Sequence, residues 1–276
     1  MRASLTELYD IWQFERILSE VYLRQLSRPA WRNIAKGFYN DWNMPNCIGA
    51  IDGKHIEIRA PSNFGSLYFN YKKFNSIVLL ATCNHRYEFT LVDVGAYGGG
   101  SDGGIFARSE LGKSLEEKSL DIPKEYANLP GSNIIMPYYF VGDEAFKLSE
   151  NLMRPYPGRH LSDIKRIFNY RLSRARRCIE NAFGIIVARW RVFSKPIGFE
   201  PDSVDVLVLA SVCLHNFLMA RTQKQVRQMY CPQEPIHQEN MDEMNLPENI
   251  AQTHTQADAT VAHNIREVSW QYEYQS

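Results

Sequence analysis

The sequence predicts an α/β fold: a mixed sheet, part antiparallel three-strand meander and part parallel, flanked by helices. Three observations predict it. Residues 47–94 break into three apolar runs joined by short turns. A fourth such run, Ile134 to Val141, stands apart behind a glycine-rich loop. A long segment from about Asn169 to Trp190 carries apolar residues three or four apart.

Taken in order, residues 1–45 read as an N-terminal helical region. Leu5, Leu8, Ile11 and Phe14 recur near a helical period, Ile17 to Leu26 continue it, and Pro29 interrupts it. Cys47 to Ile51 is a short apolar run ending at Asp52-Gly53, and His55 to Arg59 then alternates. Ser76 to Cys83 is a buried strand, Asn84-His85-Arg86 a hairpin turn, and Tyr87 to Val94 the strand that pairs back. The loop Gly95 to Gly104 leads into a helix over about Ile105 to Leu115. Asp121 to Gly131 reads as a loop, and Ile134 to Val141 as a strand ending at Gly142-Asp143. Residues 144–153 read as a short helix, Arg154 to Arg159 as a loop, and Asn169 to Trp190 as the long helix. The expected division is therefore a helical region at 1–45, one α/β domain at 46–222, and a tail at 223–276. Residues 232–276 hold eight acids against the single base Arg266, a composition that does not build a core.

Formal net charge is zero, which by itself argues against a nucleic-acid partner. Its distribution argues the other way. Residues 165–191 carry eight bases and only one acid, Glu180. Such a stripe suits a phosphate backbone, with Arg171, Arg174, Arg176, Arg177, Arg189 and Arg191 as candidate contacts and Lys54 as another. The five cysteines are odd in number and widely spaced with no CxxC pair, which excludes a cysteine zinc site and points to a reducing compartment, nucleus or cytoplasm. The most apolar stretch, Val204 to Ala220, contains Asp205, His215 and Asn216 and reads as a buried helix, with His215 a core histidine. No membrane partner is expected.

Asp52, Asp102 and Asp143 share a placement: each ends or closely follows an apolar strand or its glycine-rich exit. Carboxylates so placed can converge at one edge of a sheet. Glu180 lies beside Ile179 of the long helix's apolar stripe, where a side chain can reach back to that edge. An Asp next to Gly is ordinarily a turn residue, so spacing alone does not decide. Three strands, a helix, a fourth strand and later helices is the element order of an RNase H-like fold. In that geometry two divalent cations, Mg²⁺ or Mn²⁺, can sit between the four oxygen donors, roughly 3.5–4 Å apart. The glycine loop Gly98-Gly-Gly-Ser-Asp-Gly103 also satisfies GxGxxG. Its internal Asp102 would oppose a pyrophosphate, and a meander is not a Rossmann unit.

Five segments resemble one family. Cys47-Ile-Gly-Ala-Ile-Asp52-Gly-Lys-His55 resembles the first catalytic motif of the PIF/Harbinger transposases and their domesticated nucleases, within the DDE superfamily. Gly98-Gly-Gly-Ser101-Asp102 resembles the family's Gly-Ser-x-x-Asp loop in shortened form, and Tyr139-Phe-Val-Gly-Asp143 its second catalytic strand. Asn169 to Gly184 with Arg189-Trp190-Arg191 resembles its catalytic helix, and Leu214-His-Asn-Phe217 the helix that follows. The resemblance covers about residues 45–220 in order. It implies a D-D-E set of Asp52, Asp143 and Glu180, with Asp102 at a further acidic position. It also implies an endonuclease that hydrolyses phosphodiester bonds, and DNA as partner in the nucleus. A separate Myb-like protein as second partner is a family expectation, and the oligomeric state is left open. The alternative is a domesticated protein that binds DNA or chromatin without cleaving it.

Overall fold

A computed structural model of the chain describes residue 13, residues 16–61, residue 64, residues 66–130 and residues 133–222. The expected tail at 223–276 and most of the first turns of the chain lie outside these residues. A five-stranded sheet organises the rest, in the order β3-β2-β1-β6-β7. Its strands are β1 (Cys47–Glu57), β2 (Ser76–Cys83), β3 (Phe89–Tyr97), β6 (Tyr139–Val141) and β7 (Leu152–Met153). A separate pair is formed by β4 (Ala127–Asn128) and β5 (Ile135–Met136). The helices are α1 (Arg28–Trp42), α2 (Asp102–Arg108), α3 (Glu110–Glu116), α4 (Asp163–Arg189) and α5 (Pro201–Arg221).

The first three strands form the expected antiparallel meander. β6 then pairs parallel to β1, and β7 parallel to β6. The sheet is therefore mixed, with helices packed on it: an α/β architecture consistent with the RNase H-like class. The antiparallel meander ahead of the glycine loop removes the dinucleotide-binding reading, which needs parallel crossovers.

Several elements differ from expectation. β1 is one eleven-residue strand that runs through Asp52-Gly53, where the sequence reads a strand end. Gly53 stays in register opposite Leu80 because β2 continues alongside it. Pro29 starts α1, since a proline in the first turn has no amide proton to lose to the helix. The helix expected at about 105–115 begins at Asp102 and is split by Ser109, whose hydroxyl accepts from the Gly112 amide and caps α3. Pro137 divides the expected strand 134–141 into β5 and β6. The expected helix at 144–153 is a turn followed by the edge strand β7, which finds its hydrogen bonds on β6. α4 starts six residues earlier than the sequence predicts.

The core is continuous from α1 through the sheet to α4 and α5. Trp31 of α1 meets Phe140 of β6 edge to face, with centroids 5.8 Å apart. α5 is long and apolar enough to cross a membrane by length and composition. In the fold it packs on β3 and α4. Its polar residues close the sheet: the Asn216 side chain accepts from the Phe89 amide and donates to the Phe89 carbonyl, both at 2.8 Å. His215 Nε2 lies 2.7 Å from the Tyr87 carbonyl oxygen, and burial pushes its pKa down to about 4.

Asp205 on the same helix is less well served. Its Oδ1 is buried with no hydrogen-bond partner among the described residues. Burial, and then the charges of Asp202 and Asp93, push its pKa up to about 6. A carboxyl raised above its unfolded value, about 3.9, costs stability as pH rises from there through about 6, and the cost persists above. Asp205→Asn is therefore expected to raise the thermal midpoint at pH 8 and to lose that advantage near pH 4. Thermal melts at the two pH values check it.

Candidate metal and nuclease site

The site begins with strand register. Ala50 of β1 is paired with Val141 of β6 in parallel. Side chains two residues apart share a face of a strand, so carrying the register forward sets Asp52 beside Asp143. Both then sit where β6 has ended and only β1 continues. Asp52 is four-fifths shielded, with 20% of its side chain exposed. Its Oδ1 accepts from the Gly53 amide at 2.8 Å. Asp143 Oδ1 accepts from the Ala145 amide at 2.9 Å, which fixes the turn leaving the sheet.

Asp102 approaches from the opposite side of β1. A Cβ at Gly53 would lie 2.6 Å from Asp102 Oδ1, so the carboxylate occupies the space a side chain would need. This close approach is what glycine at position 53 permits. The helix carrying Asp102 starts there because Ser101 Oγ accepts from the Gly104 amide.

The three aspartates act on one another. Burial first raises the Asp52 pKa; the Gly53 amide and Arg176 lower it; Asp143 and Asp102 raise it again; the balance stands at about 6. Asp102 is likewise raised, by burial and then by Asp143, against the opposing charge of Lys72. Desolvated, mutually repelling carboxylates are the environment that a hard cation relieves.

Glu180 joins this group through a cation. Arg176, one helical turn before it, places Nη2 3.5 Å from Glu180 Oε1 and 3.9 Å from Asp52 Oδ2. Both separations exceed the usual hydrogen-bond length, and the buried Nε of Arg176 has no hydrogen-bond partner among the described residues. The guanidinium thus lies loosely between the two acids. Among the described residues, no three carboxylate, imidazole or thiol groups are already drawn together as metal ligands. The donor set nonetheless fits a divalent ion: all-oxygen and part-buried, with only a loosely held guanidinium between two of its acids.

The expected arginine stripe is not one face. Arg174 is buried, with Cζ 5.8 Å from the Trp42 ring and 5.7 Å from that of Tyr170, so it joins α4 to α1 and is withdrawn from the phosphate role expected of it. Successive residues turn by 100° along a helix, which scatters a run of bases around it. Arg176 turns to the carboxylates. Arg171 and Arg177 are half buried and engaged within the protein. Arg189 lies close enough to His215 to lower its pKa, and Arg191 is exposed in a single 3-10 turn, Arg191–Ser194. Lys54, on β1 two residues from Asp52, is half buried, and burial followed by the charge of Lys72 lowers its pKa. His55 Nδ1 lies 2.8 Å from Ser76 Oγ, which makes it a packing residue. Lys72 is the residue that sequence reasoning missed. Its signal was a pair of lysines, Lys72-Lys73, set among aromatics in a stretch free of acids.

The family model described as DDE superfamily endonuclease matches residues 51–216, which span β1 to α5 and include all four acids. The chain is 28% identical over 219 residues to Protein ALP1-like of Arabidopsis thaliana, covering 75% of this chain and 52% of that one. It is 27% identical over 214 residues to Antagonist of Like Heterochromatin Protein 1 of the same plant, covering 75% and 53%. It is 24% identical over 184 residues to the candidate nuclease HARBI1 of Homo sapiens, covering 65% and 48%. The chain spans about half the length of the curated relatives it matches. No solved structure matches it. With more than half of its residues matched, across the sheet and the helix that hold the carboxylates, the chain belongs to the DDE superfamily endonuclease family.

Proposed function

We propose that this chain is the nuclease core of a transposase-derived DNA endonuclease, with Asp52, Asp143 and Glu180 as its catalytic acids and Asp102 as a fourth ligand. The observation that carries the reading is the register of β1 and β6, which carried forward brings Asp52, within β1, beside Asp143, just past the end of β6, while Asp102 lies against Gly53. Mg²⁺ or Mn²⁺ bound there would supply an activated water and stabilise the leaving oxygen of a phosphodiester. The protein's own part is to hold the acids shielded and close, so that their repulsion favours a cation. Lys54 beside Asp52, and Arg191 beyond the end of α4, would meet phosphate. The reaction is hydrolysis that leaves a 3′-hydroxyl. A nuclear location and a separate DNA-binding partner are parts of the same proposal.

A second reading is favoured by one observation. Arg176 already spans Asp52 and Glu180, so the site holds an internal counter-charge. A domesticated chain that binds DNA or chromatin without cutting could rest in that state. The name of one plant relative points the same way. Incubating the protein with supercoiled plasmid and Mn²⁺ separates the two. Nicked circles that disappear with EDTA are expected; intact plasmid at saturating protein and metal would move the binding reading ahead.

A further inference from the structure

Two loops beside the carboxylates form one surface. Residues 66–75 lie between β1 and β2, and residues 98–101 between β3 and α2. The Gly99 amide donates to the Leu67 carbonyl at 3.0 Å, the Gly98 amide to the Ser76 carbonyl at 2.9 Å, and the Ser76 amide to the Tyr68 carbonyl at 2.8 Å. The rings of Tyr68 and Tyr97 meet edge to face, with centroids 4.9 Å apart. A Cβ on Gly98 or Gly99 would collide with this backbone, so the glycines allow the loops to touch.

The tip of the first loop is built on a buried side chain. Asn70 is 3% exposed. Its Oδ1 accepts from the amides of Lys72 and Phe74, and its Nδ2 donates to Ser76 Oγ. The turn is thereby fixed, with Lys73 in the left-handed region at φ 68°. Yet this fixed turn presents Tyr71 at 76% exposure and Phe69 at 47%, and Tyr97 at the end of β3 is also 47% exposed. Exposed aromatic rings grouped on a fixed support form the kind of patch that marks an interaction site.

The first loop carries charge of one sign, while burial, then Tyr97 and the nearby charges of Asp205 and Asp202 of α5, raise the pKa of Tyr68. No acidic residue lies between Glu57 and Glu88. Lys72 and Lys73 sit at the tip, and Lys72 is near enough to Asp102 for its charge to lower that pKa. Arg108 lies across the glycine turn, its Nη2 3.3 Å from where a Cβ at Gly100 would be. A groove of about 440 Å³ runs between the loops, lined by Leu67, Tyr97, Gly99, Gly100 and Arg108. That volume falls within the range of small-ligand sites and accommodates a nucleoside.

We propose that this surface binds unpaired DNA bases next to the cleavage site, with Tyr71 and Tyr97 stacking on the bases and Lys72, Lys73 and Arg108 meeting the phosphates. The choice of DNA rests on the nuclease reading; the preference for unpaired strands rests on the rings. A base inside a duplex hides its faces, whereas a frayed or displaced strand offers them, and aromatic stacking serves any base. A protein partner would need acids to match these cations.

The test is fluorescence anisotropy in EDTA, with one labelled strand presented alone, as a blunt duplex, and as a duplex with an unpaired overhang. Tyr71→Ala is expected to weaken binding of the single strand and of the overhang by about five- to a hundredfold. Blunt-duplex affinity should stay unchanged, and Tyr71→Phe should restore binding. Equal loss on the blunt duplex, no rescue by Phe, or displacement of the single strand by polyglutamate as readily as by unlabelled strand would overturn the proposal. Binding needs no cleavage, so the two readings fail separately. A protein that nicks plasmid but shows no dependence on Tyr71 overturns this surface alone. One that binds through Tyr71 but never nicks overturns the nuclease alone.

Discussion

Glu180→Gln is expected to lower metal-dependent nicking by more than about a hundredfold, because loss of a residue that merely supports a metal ligand already costs roughly ten- to a hundredfold. The substitution keeps the shape of the side chain and removes its charge. Half of the Glu180 side chain is exposed, at 51%, so folding is expected to be indifferent. DNA affinity should hold or rise, since a negative charge near phosphate is gone. Arg191→Ala should do the reverse: nicking at saturating DNA is kept, while the salt dependence of binding flattens by up to about one unit. Nicking rates and salt-dependent affinities measured on the same two proteins decide the assignment. A Glu180→Gln protein that cuts at the wild-type rate would remove Glu180 from the catalytic set.

The second large effect is on stability. Phe140→Ala is expected to cost about 3–5 kcal/mol, measured by urea denaturation. Phe140 has no exposure, lies on β6 between β1 and β7, and carries the edge contact with Trp31. Gly49 leaves room for its ring: a Cβ there would sit 2.9 Å from Phe140 Cδ1. Truncation would open a cavity at the joint of sheet and α1, where rigid strand backbones limit collapse. A cost under about 1 kcal/mol would mean that α1 is free to close the space.

What was legible in the sequence follows a physical line. The meander could be read because its strands are adjacent in the chain and joined by short turns. The long helix could be read because its apolar stripe repeats. β7 could not: two residues, Leu152-Met153, carry no period, and their strand character comes entirely from hydrogen bonds to β6. The carboxylates can be named as candidates, but Asp52-Gly53 has the local character of a strand end. Only the pairing with β2 shows that the backbone continues and that the missing side chain makes room for Asp102. The burial of Arg174 is illegible for a similar reason. Its burial depends on Trp42, far away in sequence, and nothing in the local run of bases distinguishes it from its neighbours.

The amide of Asn216, bonded to both backbone groups of Phe89, has a consequence for solubility. β3 is the outermost strand of the meander, and an uncovered outer strand is a template on which a second chain can add. Here a helix side chain stands beside Phe89 where the next strand's backbone would be, so that end of β3 is already paired. Protection of that end depends on the last turns of α5. A fragment of this chain cut short of residue 216 would retain every carboxylate of the site and expose a strand ready to pair with its neighbours in solution.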